Sequence, residues 1–182
     1  MGGKVFLRYL WAVLVVLASL CFAAEGGEDV LFSKIGVSPV KGDKKAPDFS
    51  LKDLHGRKVD IRQFKGKIIF LNFWATWCGP CKEEMPGLEV LHKQFKEKDF
   101  VLLTISVDYE GLKPVQEFVN KHRYTFPVLL DPQGETLDLF DVKGIPTTFV
   151  IDKKGRMIGR AIGPRNWESP EVASLINLLV AK

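Results

Sequence analysis

Cysteine is scarce, with three in 182 residues, so a domain stapled by several disulfides is excluded. Histidine is equally rare. His55, His92 and His122 lie far apart, and no second cysteine pair accompanies the first, so the four ligands of a tetrahedral zinc site have no source. A dominant charge of one sign is also missing. The 26 basic and 22 acidic residues leave +4, and Lys4 and Arg8 in the first 24 residues carry part of that surplus. Nothing in this balance offers an electrostatic footprint for nucleic acid. Internal repeats are absent, and 46% hydrophobic with 26% charged residues is ordinary globular usage, which argues against wholesale disorder. The length suits one or two domains with a full core.

One long apolar run is present, from Tyr9 to Ala24 behind Lys4 and Arg8. Its 16 residues fall short of the ~20 that span the hydrocarbon, and Cys21-Phe22-Ala23 resembles the small-x-small pattern before a signal-peptidase cut. Residues 1–24 are therefore expected to be a signal peptide cut after Ala23 or Ala24, or an N-terminal membrane anchor lengthened by Phe6 and Leu7. Both place the remainder outside the cytoplasm. Leu20 precedes Cys21 where lipoprotein processing wants a small residue, so Cys21 reads as part of the apolar run.

Residues 25–46 mix glycines, Pro39 and the charged run Lys41-Gly42-Asp43-Lys44-Lys45 without a sustained period, and are expected to be a solvated linker. From Pro47 to Lys182 the pattern is that of one α/β domain. Short strands are predicted at Phe49–Leu51 and Lys58–Ile61, a strong apolar strand at Lys67–Trp74 and a buried strand at Phe100–Val107. A long helix should run from Gly79 to about Lys98, with further helices at Lys113–His122, Glu135–Phe140 and Glu168–Val180. A strand at Phe126–Leu130 and a hairpin of Thr147–Ile151 with Arg156–Ile162 complete the set. Such an order implies a mixed central sheet with helices on both faces. Gly155, Gly159 and Gly163, four apart, read as glycines of a bulged edge strand.

The chemistry concentrates in Trp77-Cys78-Gly79-Pro80-Cys81-Lys82-Glu83-Glu84, where the apolar strand ends and the long helix begins. A thiol at a helix N-terminus faces unsatisfied N–H groups and the positive end of the dipole, which stabilise its thiolate. Cys78 is the expected nucleophile. Two intervening residues let one helical turn bring Cys81 back to it, so a mixed disulfide on Cys78 is open to attack from Cys81. A purely structural bridge across so short a loop would constrain little chain entropy. Glu84, three residues past Cys81, shares its helical face, and a partly buried carboxyl there would suit exchange of the Cys81 proton. Helix-dipole complementation is the plainer role for both Glu83 and Glu84. Trp77 is expected to shield the pair and meet a partner's apolar surface, and Trp74 to be core.

These segments, with Phe73-Trp74-Ala75-Thr76 before them and Gly144-Ile145-Pro146-Thr147-Thr148-Phe149 far downstream, resemble the thioredoxin superfamily, and more narrowly the exported TlpA/ResA-type thiol–disulfide oxidoreductases. The resemblance implies a thioredoxin fold with an N-terminal strand extension and a central helix-strand insertion. It also implies protein-disulfide reduction without a bound cofactor or metal. By it, Pro146 would be a cis-proline facing the pair, and Ile145 would offer its backbone to an extended substrate. Asn72 stands where thioredoxin carries a buried Asp, so another acid must assist Cys81, and Glu84 fits the family's habit. Implied partners are protein thiol or disulfide clients, apocytochrome c among them, and a membrane thiol carrier as electron donor. Rival readings are a peroxiredoxin-like peroxidase, for which Phe73–Cys81 lacks the Pro-x-x-x-Thr/Ser-x-x-Cys context, and a metal-carrying or assembly module.

Overall fold

The computed structural model describes residues 27–182, so the expected signal or anchor and Cys21 lie outside the described residues. Among the described residues no helix is long and apolar enough to cross a membrane.

The sheet is built around Ile-Ile-Phe-Leu-Asn-Phe-Trp, apolar at all positions but one, which forms β4 (Ile68–Trp74) and is buried on both faces. It follows three short strands, β1 (Ser38–Pro39), β2 (Ser50–Asp53) and β3 (Lys58–Asp60), and precedes β5 (Phe100–Ser106), β6 (Val128–Leu130), β7 (Thr147–Ile151) and β8 (Met157–Ile162). The strand order is β1-β8-β7-β4-β5-β6-β2-β3. β4 runs parallel to β5 and antiparallel to β7, and β5 runs parallel to β6.

Among the described residues five α-helices complete the fold: α1 over 27–34, α2 (Gly79–Phe95), α3 (Leu112–His122), α4 (Glu135–Leu139) and α5 (Pro170–Ala181). Alternation along β4 sends Phe70, Asn72 and Trp74 to the face covered by α1, α2, α3 and α5, with Met85, Leu88, Val115 and Leu175 in the same cluster. Ile69, Leu71 and Phe73 point to the other face, against Phe140, Phe149 and Ile61. This is the mixed sheet with helices on both faces that the sequence predicts. β2 and β3 are the expected N-terminal strand extension, at the sheet edge beyond β6, and α3 with β6 is the insertion between β5 and α4.

The segment expected to be a solvated linker is packed against the domain instead. Phe32 of α1 is 1% exposed, and Ile35 and Val37 are buried beside it. Beyond β1 the chain follows β8: Val40 N–H donates to the Ile158 carbonyl at 3.0 Å, Met157 N–H to Lys44 at 2.9 Å, and Ala46 N–H to Gly155 at 2.9 Å. Asp43 of the lysine run pairs with Arg156. The physical reason lies in Gly159. A Cβ there would stand 2.7 Å from Val37 Cγ1 and 3.1 Å from the Phe32 ring, so only a bare backbone lets the N-terminal segment lie this close. The bulge expected near these glycines is present as a register shift between β7 and β8 at Val150/Ile151, but β8 is not the edge strand expected, because β1 pairs along its outer side at Arg160 and Gly159.

Candidate active site

The end of β4 delivers the chain into α2 through Ala75-Thr76-Trp77-Cys78. Asp108, buried after β5, holds this bend by accepting from Thr76 N–H at 2.9 Å, from Thr76 Oγ1 at 2.5 Å and from Ser106 Oγ at 2.7 Å. Cys78 then caps α2: its Sγ accepts from Cys81 N–H at 3.2 Å, while Pro80 occupies the first turn where an N–H is not missed. Cys78 and Cys81 form a disulfide with Cα atoms 5.3 Å apart. The bond lies almost under the surface, with Cys81 fully buried and Cys78 6% exposed. Trp77 beside it is 60% exposed, whereas Trp74 is core.

Across from the pair, Gly144–Thr147 leads into β7. The Ile145–Pro146 peptide is cis, as the resemblance implied. Thr147 Oγ1 donates to the Gly144 carbonyl at 2.7 Å and fixes the bend. The Ile145 carbonyl oxygen lies 3.8 Å from Cys78 Sγ, a contact that becomes a weak donor–acceptor pair when that sulfur carries a proton.

Glu84, one turn after Cys81, points into the domain and is 3% exposed. Its Oε1 accepts from Asn72 Nδ2 at 2.8 Å. Oε2 accepts from Trp167 Nε1 at 2.8 Å and from the Arg165 backbone N–H at 3.0 Å. Burial pushes the carboxyl above its ordinary value, opposed by these three hydrogen bonds and by the nearby Arg165 charge. Asn72 Nδ2 also donates to Thr148 Oγ1 at 2.9 Å, and Asn72 Oδ1 is buried without a partner. Glu83 lies on the exposed side of α2, so the two neighbouring acids have separate environments.

The structure thus brings together Cys78, Cys81, Ile145 and Pro146, with Trp77 at the rim and Glu84 behind the second sulfur on the same helix. Sequence reasoning missed Asp108 as the holder of the Thr76 bend, and Arg165 and Trp167 as the donors to Glu84. Trp167 stands alone in a polar turn before α5, where an aromatic that is 1% exposed is unusual; that isolation was the available signal. Among the described residues no group of three or more His, Cys, Asp or Glu is placed to hold a metal ion.

This arrangement is a cysteine pair on a helix N-terminus facing the Ile145–Pro146 backbone. The model of the AhpC/TSA family matches residues 43–159. The thiol-disulfide oxidoreductase ResA of Bacillus thuringiensis subsp. konkukian is 40% identical over 128 residues, covering 70% of this chain and 73% of its own length. ResA of Bacillus subtilis is 37% identical over 123 residues, covering 68% of each chain. A thioredoxin-family thiol:disulfide interchange protein from Chlorobium tepidum has a solved structure that superposes with a TM-score of 0.68 at 28% identity, covering 78% of this chain and 99% of that one. On these grounds the chain belongs to the AhpC/TSA family and, within it, to the thiol–disulfide oxidoreductases of ResA type, with Cys78 and Cys81 as its redox pair.

Proposed function

We propose that this enzyme is exported and reduces disulfides in client proteins, with Cys78 as the attacking sulfur, Cys81 as the resolving one and Glu84 as the base for Cys81. The observation that carries the reading is the asymmetry of the pair. Cys78 Sγ receives an amide N–H and the positive end of α2, and touches the surface, while Cys81 is sealed beneath it.

In the reduced enzyme the Cys78 thiolate attacks a client disulfide. A bond forms between Cys78 Sγ and one client sulfur as the client S–S bond breaks, and the departing thiolate takes a proton from solvent. Cys81 then gives its proton to the Glu84 carboxylate and attacks Cys78 Sγ. The Cys78–Cys81 bond closes, the second client sulfur leaves as a thiolate that takes a proton from solvent, Glu84 releases the Cys81 proton to solvent, and two electrons have passed to the client. Ile145 offers its backbone carbonyl beside Cys78 to an extended client strand, Pro146 shapes that edge, and Trp77 provides apolar contact area. A membrane thiol carrier returns the electrons, and apocytochrome c cysteines are a fitting client class.

The second reading is a peroxiredoxin-like reduction of peroxide. Against it stands the sequence around the pair, where Ala75 and Leu71 occupy the places of the Thr/Ser and Pro of a peroxidatic loop.

The test is a Cys81→Ser variant expressed with its own leader and isolated under thiol-blocking conditions. The expected product is a stalled mixed disulfide on Cys78 whose partner is a protein exposed outside the cytoplasm. Adducts on the Cys81→Ser enzyme that persist when Cys78 is also replaced, or rapid turnover of peroxide by the native enzyme, would overturn the reading.

A further inference from the structure

The loop from β8 to α5 does more than donate to Glu84. Gly163 N–H donates to the Pro146 carbonyl at 2.8 Å, so the same loop touches both the proline edge and the carboxylate. The Arg165 side chain ties this loop to the N-terminal segment. Its Nε and Nη2 both donate to the Gly36 carbonyl, at 3.0 and 2.8 Å, and its Nη1 donates to Pro164 at 2.8 Å and Gly163 at 3.2 Å. Among the described residues no carboxylate forms an ion pair with this guanidinium; its donors are aimed at backbone carbonyls, a use that needs the planar fork of arginine.

The acceptor is equally well placed. Gly36 closes the turn after α1, with its N–H on Ser33 at 3.1 Å and Val37 N–H on Phe32 at 2.9 Å, and Phe32 and Val37 are buried on either side. Its φ of +67° suits glycine, and a Cβ there would stand 2.8 Å from Arg165 Nε. A continuous line of fixed groups therefore runs from the core through α1, Gly36 and Arg165 to the two N–H groups on Glu84 Oε2.

We propose that Arg165 is a positioning residue for thiol exchange: by clasping Gly36 it holds the loop that seats the Glu84 carboxylate, and so makes the N-terminal segment part of the proton-transfer apparatus. The proposal rests on Glu84 being the base for Cys81. The charged groups around Glu84 are few. Arg165 comes from the loop; Glu83 and Glu168 line the same cavity of about 330 Å³; β4 offers uncharged Asn72, backed by Thr148 of β7; and Cys81 lies one turn earlier on α2.

Releasing the clasp lets the loop withdraw its N–H groups from Oε2, which favours the protonated carboxyl. The experiment measures the rate at which the reduced full-length chain reduces insulin disulfides as a function of pH, for wild type, Arg165→Ala, Arg165→Lys and Glu84→Gln, with near-ultraviolet circular dichroism as the check on folding. Glu84→Gln is expected to lose the acid limb of the profile. Arg165→Ala should move that limb to higher pH by about half to one unit, a three- to ten-fold slower rate at fixed pH on the limb. Arg165→Lys, which keeps the charge and loses the fork, should move with it, and neither should change a Glu84→Gln background. An unmoved limb in Arg165→Ala, or a wild-type limb in Arg165→Lys, overturns the clasp and leaves the base standing. An acid limb that survives Glu84→Gln unchanged removes the base and the clasp together.

Discussion

Replacing Glu84 with Gln exchanges one oxygen for nitrogen and takes away the proposed proton acceptor while keeping the shape of the side chain. The surrounding donors tell how the amide would sit. Its oxygen can occupy the Oε2 place and retain the Trp167 and Arg165 bonds, leaving its NH₂ opposite Asn72 Nδ2. Two donors would then meet, unless the Asn72 amide turns over and presents Oδ1, the buried atom that has no partner in the native arrangement. The variant is therefore expected to fold. Loss of a positioned base slows proton transfer by about 10²- to 10⁴-fold, so release of thiol from a preformed Cys78 mixed disulfide should fall by that order near neutral pH. Stability should respond with the opposite sign from an ordinary salt-bridged acid. Burial raises the folded value above 4.5, so the folded state holds the proton more tightly than the unfolded one. The resulting stabilisation is complete below the unfolded value and is lost as pH rises through the folded one. Urea melts across that window should show the native enzyme losing stability with rising pH by a component that Glu84→Gln lacks. Resolution rates within a factor of about two of wild type at every pH would refute the argument.

Three further outcomes follow from the geometry. Trp77→Ala deletes an exposed indole beside Cys78 and is expected to raise KM for a protein client about ten-fold while leaving reduction of a small aromatic disulfide unchanged; equal effects on both would show that the indole acts on the sulfur itself. Phe32→Ala empties a fully packed site and should cost about 3–5 kcal/mol in a urea melt, whereas a loss under about 1 kcal/mol would mean that α1 adds little to the domain. Asp108→Ala strips three donors of their shared acceptor, with an expected cost of about 1–3 kcal/mol and slower disulfide exchange as the Thr76 bend loosens. An unchanged melting curve and rate would remove Asp108 from the support of the site.

Much of the scaffold could be read locally. β4 carries its burial in its own apolar run, and α2 starts where Gly79 and Pro80 follow the capping cysteine. Glu84 was legible from its three-residue offset to Cys81. Its partners were not, because Arg165 and Trp167 lie 81 and 83 residues away and meet it only when α5 packs on the α2 side of the sheet. The N-terminal segment was misread for a related reason. Phe32, Ile35 and Val37 form a weak pattern among glycines and charges, and their burial depends on the missing side chain of Gly159, which no local period reveals. Arg165 shows the same limit: a lone arginine beside a proline carries no mark of the carbonyl it will find on Gly36, 129 residues earlier.

Pro86 sits inside α2 and has no N–H to offer the carbonyl of Lys82, so one rung is missing between the turn that bears the sulfur atoms and the body of the helix. A rod weakened at one rung flexes there first. When the sulfur–sulfur bond is cut and the two atoms part, the adjustment falls on residues 79–82, and Leu88, Leu91 and Phe95 keep their seats in the core. The oxidised and reduced enzymes should accordingly share one scaffold and differ in amide-exchange rates at that first turn alone.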